Sequence, residues 1–149
     1  MHIPGQQTPI YNLSMVYDVP IFAGVGEHEQ HLLAGKLTVE YFNEGIVIEE
    51  GAVGDRLYVI TKGTVLISKK YPSKGWVPIN TLGPGDFFGE IAILRKIPRT
   101  ARVSVLTPCT FLTINADDFL DIYQSFSPQS RDNIQIIIAK RLEQLRDMA

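Results

Sequence analysis

Short apolar runs broken by turn residues fill the middle of this chain, from Leu37 to Ile114. The interruptions are rich in Gly, Pro, Asn and Asp, and the clearest is Gly83-Pro84-Gly85-Asp86. Roughly eight short strands at a spacing of ~8–12 residues are typical of a β-sandwich or jelly roll. The predicted strands are Leu37–Phe42, Ile46–Glu49, Leu57–Thr61, Thr64–Lys70, Trp76–Leu82, Asp86–Phe88, Ala101–Leu106 and Thr110–Ile114.

Composition sets the class of protein. With 149 residues, the chain fits one domain whose core needs no disulfide. Residues 1–12 are predicted to be a loose leader and residues 13–149 a single domain. A net charge of -2 with 20% charged residues disfavours a disordered chain and a broad nucleic-acid surface. The single cysteine, Cys109, and the lack of a signal peptide or membrane-spanning run predict a cytoplasmic protein.

Helical patterns flank the strands on both sides. We predict a helix over Glu27–Lys36 after a turn at Pro20-Ile21-Phe22, and another from Asn115 to about Ser125. The last helix runs from Pro128 to about Met148, and its apolar stripe fits two interpretations: packing on the barrel, or a helix that swings or dimerises. The stripe comprises Ile134, Ile137, Ile138, Leu142, Leu145 and Met148.

One short segment combines groups suited to an anion and a hydroxyl. Gly89 permits close backbone approach, and successive N–H groups at the start of a helical turn form an anion nest. Arg99 offers a planar fork for phosphate oxygens, and Glu90 is an acceptor for a sugar hydroxyl. Together they predict a site for a small phosphorylated sugar. The alternative is that Glu90 and Arg99 form a structural ion pair without a ligand.

An ordered set of landmarks surrounds this segment. It comprises Val19-Pro20-Ile21-Phe22, Asn43-Glu44-Gly45, Glu50-Gly51-Ala52-Val53-Gly54-Asp55, Leu57–Gly63 and Leu82–Glu90. With these landmarks, the chain resembles the cyclic nucleotide-binding domain of the catabolite activator, cyclic-nucleotide-dependent kinase regulatory subunits and cyclic-nucleotide-gated channels. The resemblance runs from about Asp18 to Asp147. It implies an eight-stranded jelly-roll β-barrel (a cupin-like double-stranded β-helix) with N-terminal helices and two C-terminal helices.

The resemblance also implies a phosphate-binding cassette, here residues Phe88–Ala101. Glu90 would accept a hydrogen bond from the ribose 2′-hydroxyl, and Arg99 would pair with the cyclic phosphate. The implied ligand-binding residues are Phe88, Gly89, Glu90, Ile91, Ala92, Arg99, Thr100 and Ala101. Positions facing the base or its lid map to Ile67, Leu82 and Ile137, which are equally well explained as core. Ile137 offers no aromatic surface, so the cap is expected to be aliphatic or supplied by Arg141.

The identity of the nucleotide is less constrained. The Thr100 hydroxyl suits the amino group of a syn guanine, but one hydrogen bond contributes only ~1 kcal/mol. The aliphatic pocket favours cAMP, with cGMP possible. Arg102 stands where relatives usually carry a small polar residue, and strand alternation predicts a solvated charge that points away from the pocket. Trp76 is interpreted as a surface or partner contact.

Other function classes are weaker. A metal-dependent barrel enzyme needs converging His and carboxylate ligands, yet His2, His28 and His31 all precede the strands. No catalytic motif is present, so we expect a binding module without a cofactor or metal, acting on an unknown protein effector. Its ligand is expected to move the terminal helix. The alternative is a degenerate domain of the same fold that binds no nucleotide. A DNA-binding regulator would need a further helix-turn-helix.

Overall fold

The strands form two antiparallel sheets. The computed structural model describes Thr8–Pro9, Phe22 and residues 26–147. The first sheet has the order β1-β2-β9-β4-β7 and the second the order β3-β8-β5-β6. Their bounds are β1 Thr8–Pro9, β2 Thr38–Phe42, β3 Ile46–Ile48, β4 Arg56–Lys62, β5 Val65–Tyr71, β6 Gly75–Leu82, β7 Phe87–Phe88, β8 Arg102–Val105 and β9 Cys109–Asn115. The predicted jelly roll is confirmed, although these described strands form two sheets rather than one closed barrel.

Four helices complete the described structure: α1 Glu27–Lys36, α2 Glu90–Arg95, α3 Ala116–Ser125 and α4 Pro128–Asp147. The Asn115 side chain accepts a hydrogen bond of 2.8 Å from the Asp118 amide, which caps α3 as its sequence predicts. Among the described residues, no helix has the length and hydrophobicity that crossing a bilayer requires.

The N-terminal predictions fall largely outside the described residues. The turn residues Pro20 and Ile21 and most of the predicted leader lie there, so the leader stays a prediction. Within the leader, Thr8 and Pro9 pair with Val39 and Thr38 of β2.

One core joins the helices to the first sheet. Leu33 of α1, Leu57 of β4 and Phe119 of α3 are fully buried within it. Ile134 and Ile138 of α4 are also buried, at 1% and 0% exposure. Packing on the body of the protein therefore accounts for this part of the apolar stripe.

A second core fills the space between the sheets. The Tyr58 and Phe88 rings stack at 4.9 Å, and Phe111 meets both rings edge-on. Because Phe88 ends β7, this aromatic cluster fixes the point at which the chain enters the cassette. Cys109 lies in the same core at 3% exposure.

Candidate functional site

A cavity lies between the second sheet, the cassette and the last turns of α4. All eight cassette residues predicted to bind ligand line it, which brings Glu90 and Arg99 to one site. Its remaining lining residues are Ile48, Ile67, Ile79, Asn80, Leu82, Val103, Arg141, Gln144 and Leu145. The cavity thus has an apolar floor from the strands and a polar rim from the cassette and the helix.

Gly89 gives the cassette its shape. It joins β7 to α2 with a φ of 100°, a left-handed conformation that side chains rarely adopt. A Cβ at this position would lie 2.8 Å from the Arg56 carbonyl oxygen and 3.0 Å from Arg99 Nη1. The glycine is therefore required both by the backbone angle and by the close approach of the Arg99 guanidinium.

Arg99 is a buried cation held mainly by carbonyl groups. Its side chain is 5% exposed, and it donates to the Gly89 carbonyl at 2.8 Å and the Arg56 carbonyl at 2.9 Å. The nearest carboxylate, on exposed Asp55, is 3.8 Å away. Burial lowers the pKa of Arg99, while Tyr58 and Asp55 oppose that shift. An incompletely neutralised guanidinium at a cavity wall is suited to bind an anion.

Glu90 is paired with the terminal helix. The carboxylate is 1% exposed, and Arg141 Nη1 of α4 contacts both of its oxygens, one of them at 2.8 Å. Arg141 Nη2 also donates to the Phe87 carbonyl at 2.7 Å, and the guanidinium lies 4.6 Å from the Phe87 ring centroid. Among the described residues, Glu90 forms its ion pair with Arg141 and not with Arg99. The suggested Glu90–Arg99 structural pair is therefore wrong.

Burial of Glu90 gives the protein a defined pH dependence. Desolvation raises the pKa of Glu90 above its ordinary value of 4.5, although Arg141 lowers it in part. As the pH rises through 4.5, the unfolded chain loses this proton while the folded chain still holds it. The contribution of Glu90 to the free energy of unfolding should therefore fall with rising pH, until the pH passes the folded pKa.

Urea unfolding at a series of pH values tests this expectation. As the pH rises above about 4.5, the free energy of unfolding of the wild type should fall relative to that of Glu90→Gln. Burial also raises the pKa of Glu40, so Glu40→Gln is the matched control. This variant should still show the pH-dependent loss of stability that comes from Glu90. Parallel stability curves for wild type and Glu90→Gln would contradict the assignment.

The terminal helix covers the mouth of the cavity at a second point. The Tyr71 hydroxyl, at the end of β5, donates to the Leu145 carbonyl of α4. Gln144 and Leu145 line the cavity beside Arg141. Ile137, the predicted lid position, does not line it and instead packs against the core formed with the helices. The helix meets the cavity at Arg141, the alternative cap expected from the sequence, and at Gln144 and Leu145 one turn further on.

Arg102 differs in part from its prediction. It does point away from the cavity, but it is not a free solvated charge. Its guanidinium lies 3.5 Å from the Trp76 ring centroid and bonds both oxygens of Glu49, at 2.8 and 3.2 Å. Trp76 remains 39% exposed while it stacks on this cation. The strand alternation predicted the direction of Arg102, but its partners lie on distant segments.

Sequence reasoning missed several residues of the cavity. Asn80 and Gln144 supply side-chain amides, and the Asn80 oxygen already accepts from the Thr81 amide at 2.8 Å. The position of Gln144 three residues after Arg141 was the available indication, since residues at that spacing share a helix face. Nothing local indicated Asn80, because β6 is irregular where Ser68 pairs with Pro78.

The sequence of this chain is similar to those of known proteins. The family model described as the cyclic nucleotide-binding domain matches residues 38–126. A cAMP-dependent protein kinase regulatory subunit from Yarrowia lipolytica is 37% identical over 103 residues, which is 68% of this chain and 27% of that protein. The potassium/sodium hyperpolarization-activated cyclic nucleotide-gated channel 1 of Homo sapiens is 30% identical over 132 residues, 88% of this chain and 14% of the channel.

A solved structure shows the same fold. The regulatory domain of Toxoplasma gondii PKA with cAMP superposes with a TM-score of 0.77 at 22% identity, covering 86% of this chain and 48% of that one. The chain spans about a quarter or less of the length of the two sequence relatives.

Proposed function

Since the chain belongs to the cyclic nucleotide-binding domain family, we propose that its cavity binds a cyclic purine nucleotide and that the domain acts as a regulatory sensor. The observation that carries this proposal is the burial of Arg99 at the cavity wall, where the nearest carboxylate, on exposed Asp55, is 3.8 Å away. A cyclic phosphate would add a directly hydrogen-bonded negative charge to this buried cation. Glu90, on the same wall, accepts from the ribose 2′-hydroxyl.

The other cassette groups complete the phosphate site. The amides of Ala92 and Ala101 and the Thr100 hydroxyl act as further donors to the phosphate, while Gly89 and Ile91 line the ribose. Arg99 is pre-organised for this role because its backbone is paired with the loop before β4. Its amide donates to the Ala52 carbonyl at 2.7 Å, and its carbonyl accepts from the Gly51 amide at 2.8 Å. Such pre-organisation reduces the entropy lost on binding.

We favour cAMP over cGMP as the ligand. The base region is formed largely by aliphatic side chains, among them Ile67, Leu82 and Leu145, which accept any purine face. Two sequence relatives carry names that refer to cAMP or to cyclic nucleotides in general. Arg141 and the amides of Asn80 and Gln144 are the polar groups placed to meet the edge of the base.

Ligand binding is coupled to movement of α4. The cavity measures about 80 Å³, whereas sites for small organic ligands span about 300–1,000 Å³. The residues that close it, Arg141, Gln144 and Leu145, all belong to one helix. A nucleotide therefore enters when the last turns of α4 move aside, and α4 then closes over it in a new position that an effector reads.

The second candidate is a degenerate domain of the same fold. It is favoured by one observation, since Arg141 already contacts both oxygens of Glu90. A carboxylate has about four lone-pair sites, however, and can accept a hydrogen bond from a ribose hydroxyl beside an arginine.

The proposed sensor domain acts in the cytoplasm on a protein effector, without catalysis, cofactor or metal.

Calorimetric titration of the purified protein with cAMP and with cGMP tests the proposal. We expect saturable binding of cAMP at micromolar or tighter dissociation constants, about −8 kcal/mol or better, and weaker binding of cGMP. An equal affinity for both nucleotides would remove the preference for cAMP alone. A lack of heat with both, confirmed by an unchanged melting temperature at millimolar ligand, would favour the degenerate domain.

A further inference from the structure

The outer side of the cassette is braced by a lysine that has no place in the expected ligand set. Lys69 of β5 directs its ammonium to the Thr100 carbonyl oxygen at 3.0 Å. The Glu50 carboxylate lies 3.8 Å from the same ammonium and also accepts from the Lys70 amide at 3.1 Å. Lys69 does not line the cavity, whereas Thr100 and Ala101 do. The lysine therefore holds the cassette from behind.

The bond to a carbonyl has a geometric consequence. In a trans peptide unit the C=O and the following N–H point in opposite directions. The carbonyl of Thr100 and the amide of Ala101 belong to one such unit. When Lys69 holds the carbonyl on the outer side, the Ala101 N–H is directed to the opposite side, where the cavity lies.

The neighbouring residues are held by other contacts, whereas this peptide unit is bonded by Lys69. Arg99 is paired through its backbone with Gly51 and Ala52, and Arg102 is held through its side chain by Glu49 and Trp76. The peptide unit between Thr100 and Ala101 lies between these two fixed points, just before β8 begins. Its plane is thus the part of the cassette that Lys69 controls.

We propose that Lys69, supported by Glu50, is a positioning residue that aims the Ala101 N–H at the anion. The proposal rests on the proposed function, because the anion is the cyclic phosphate of that site. Lys69 touches neither the ligand nor the cavity. Its contribution is to orient one donor before the phosphate arrives, so that no binding free energy is lost in turning the peptide.

Lys69→Met tests this role in the full chain. We expect the dissociation constant for cAMP to rise about tenfold, as for loss of one hydrogen bond to a charged acceptor. Lys69→Arg retains a cationic donor and should stay within about threefold of wild type. Lys70→Met, whose exposed neighbouring side chain makes no such bond, is the matched control and should bind as wild type does. The melting temperature of the ligand-free Lys69→Met protein should change by no more than about 2 °C.

A sulfur-substituted ligand separates positioning from a general structural effect. In each diastereomer of the cyclic phosphorothioate of adenosine, sulfur replaces one exocyclic phosphate oxygen, and sulfur accepts hydrogen bonds poorly. The diastereomer whose sulfur faces the Ala101 N–H has already lost that bond, so Lys69→Met should weaken it by less than about twofold. The other diastereomer should show the full loss. An equal loss for both would overturn the proposal.

The outcomes distinguish the two proposals. If wild type binds cAMP and Arg99→Ala does not, while Lys69→Met behaves like Lys70→Met, only the positioning role is overturned. If wild type binds no cyclic nucleotide, the proposed function fails and the positioning role fails with it.

Discussion

Arg99→Ala is expected to weaken cAMP binding about a hundredfold or more. Removal of one partner of a desolvated, hydrogen-bonded charge pair costs about 2–5 kcal/mol, and 2.7 kcal/mol corresponds to a factor of about 100. Arg99 meets these conditions because it is 6% exposed and lines the cavity. Calorimetric titration of the variant against the wild type measures the effect.

Two further variants make that result specific. Arg95→Ala removes an exposed arginine of α2 that bonds Gln135 at 3.1 Å, and it should leave the affinity unchanged. Arg99→Lys keeps a positive charge but loses the planar fork, so it should bind cAMP with intermediate affinity. Because Arg99 also satisfies the Gly89 and Arg56 carbonyls, circular dichroism must show that each variant is folded at the titration temperature. A loss of less than about fivefold in a folded Arg99→Ala protein would contradict the phosphate role.

Arg141→Met should destabilise the ligand-free protein by about 2 kcal/mol and lower its melting temperature by about 6 °C. The variant leaves the Glu90 carboxylate buried without a cation, and such a loss typically costs about 3–5 kcal/mol. The expected cost is smaller here because the Arg141 side chain is 24% exposed and water can partly replace it. Urea unfolding of ligand-free protein measures the change.

The same variant should weaken cAMP binding about tenfold, because α4 loses its bond to the cassette and closes less well over the ligand. Loss of Arg141 also removes the main influence that lowers the Glu90 pKa, so that pKa should rise further above 4.5. Arg131→Met, in the first turn of the same helix, is the matched control. It should change neither the stability of the ligand-free protein nor its affinity for cAMP.

A second substitution identifies the origin of the instability. Adding Glu90→Gln to Arg141→Met removes the buried charge, so it should restore part of the lost stability without restoring the affinity. If Glu90→Gln destabilises the Arg141→Met protein as much as it destabilises the wild type, the two residues are energetically independent. The Arg141–Glu90 ion pair would then not be what holds α4 to the cassette.

The strands and helices were predictable because their determinants are local. The predicted bounds of α1 are those observed. Each end of the eight predicted strands either agrees with the structure or differs from it by one residue. Apolar alternation needs only neighbours in sequence, and Gly, Pro, Asn and Asp end each run for backbone reasons. The cap of α3 is equally local, since Asn115 and Asp118 are three residues apart.

The cassette was located from the sequence because its residues are close along the chain. Glu90 and Arg99 are separated by the short helix α2 and a short loop, so their convergence on one cavity follows from few backbone angles. Their ionic partners could not be derived in this way. Arg141 is 51 residues from Glu90, and the residues that hold Arg102 lie on β6 and after β3.

The sequence by itself determined the jelly-roll elements, the positions of Gly89, Glu90 and Arg99, and the resemblance that gives them a role. Only the tertiary structure decided which side chains close the cavity and which charges neutralise each other. It placed Gln144 and Leu145 at the mouth beside Arg141, the alternative cap expected from the sequence, and it put Lys69 behind the cassette. The physical reason is that ion pairs between distant segments depend on how helices and sheets pack, and a side-chain stripe alone does not specify the axial position at which a helix meets its partner.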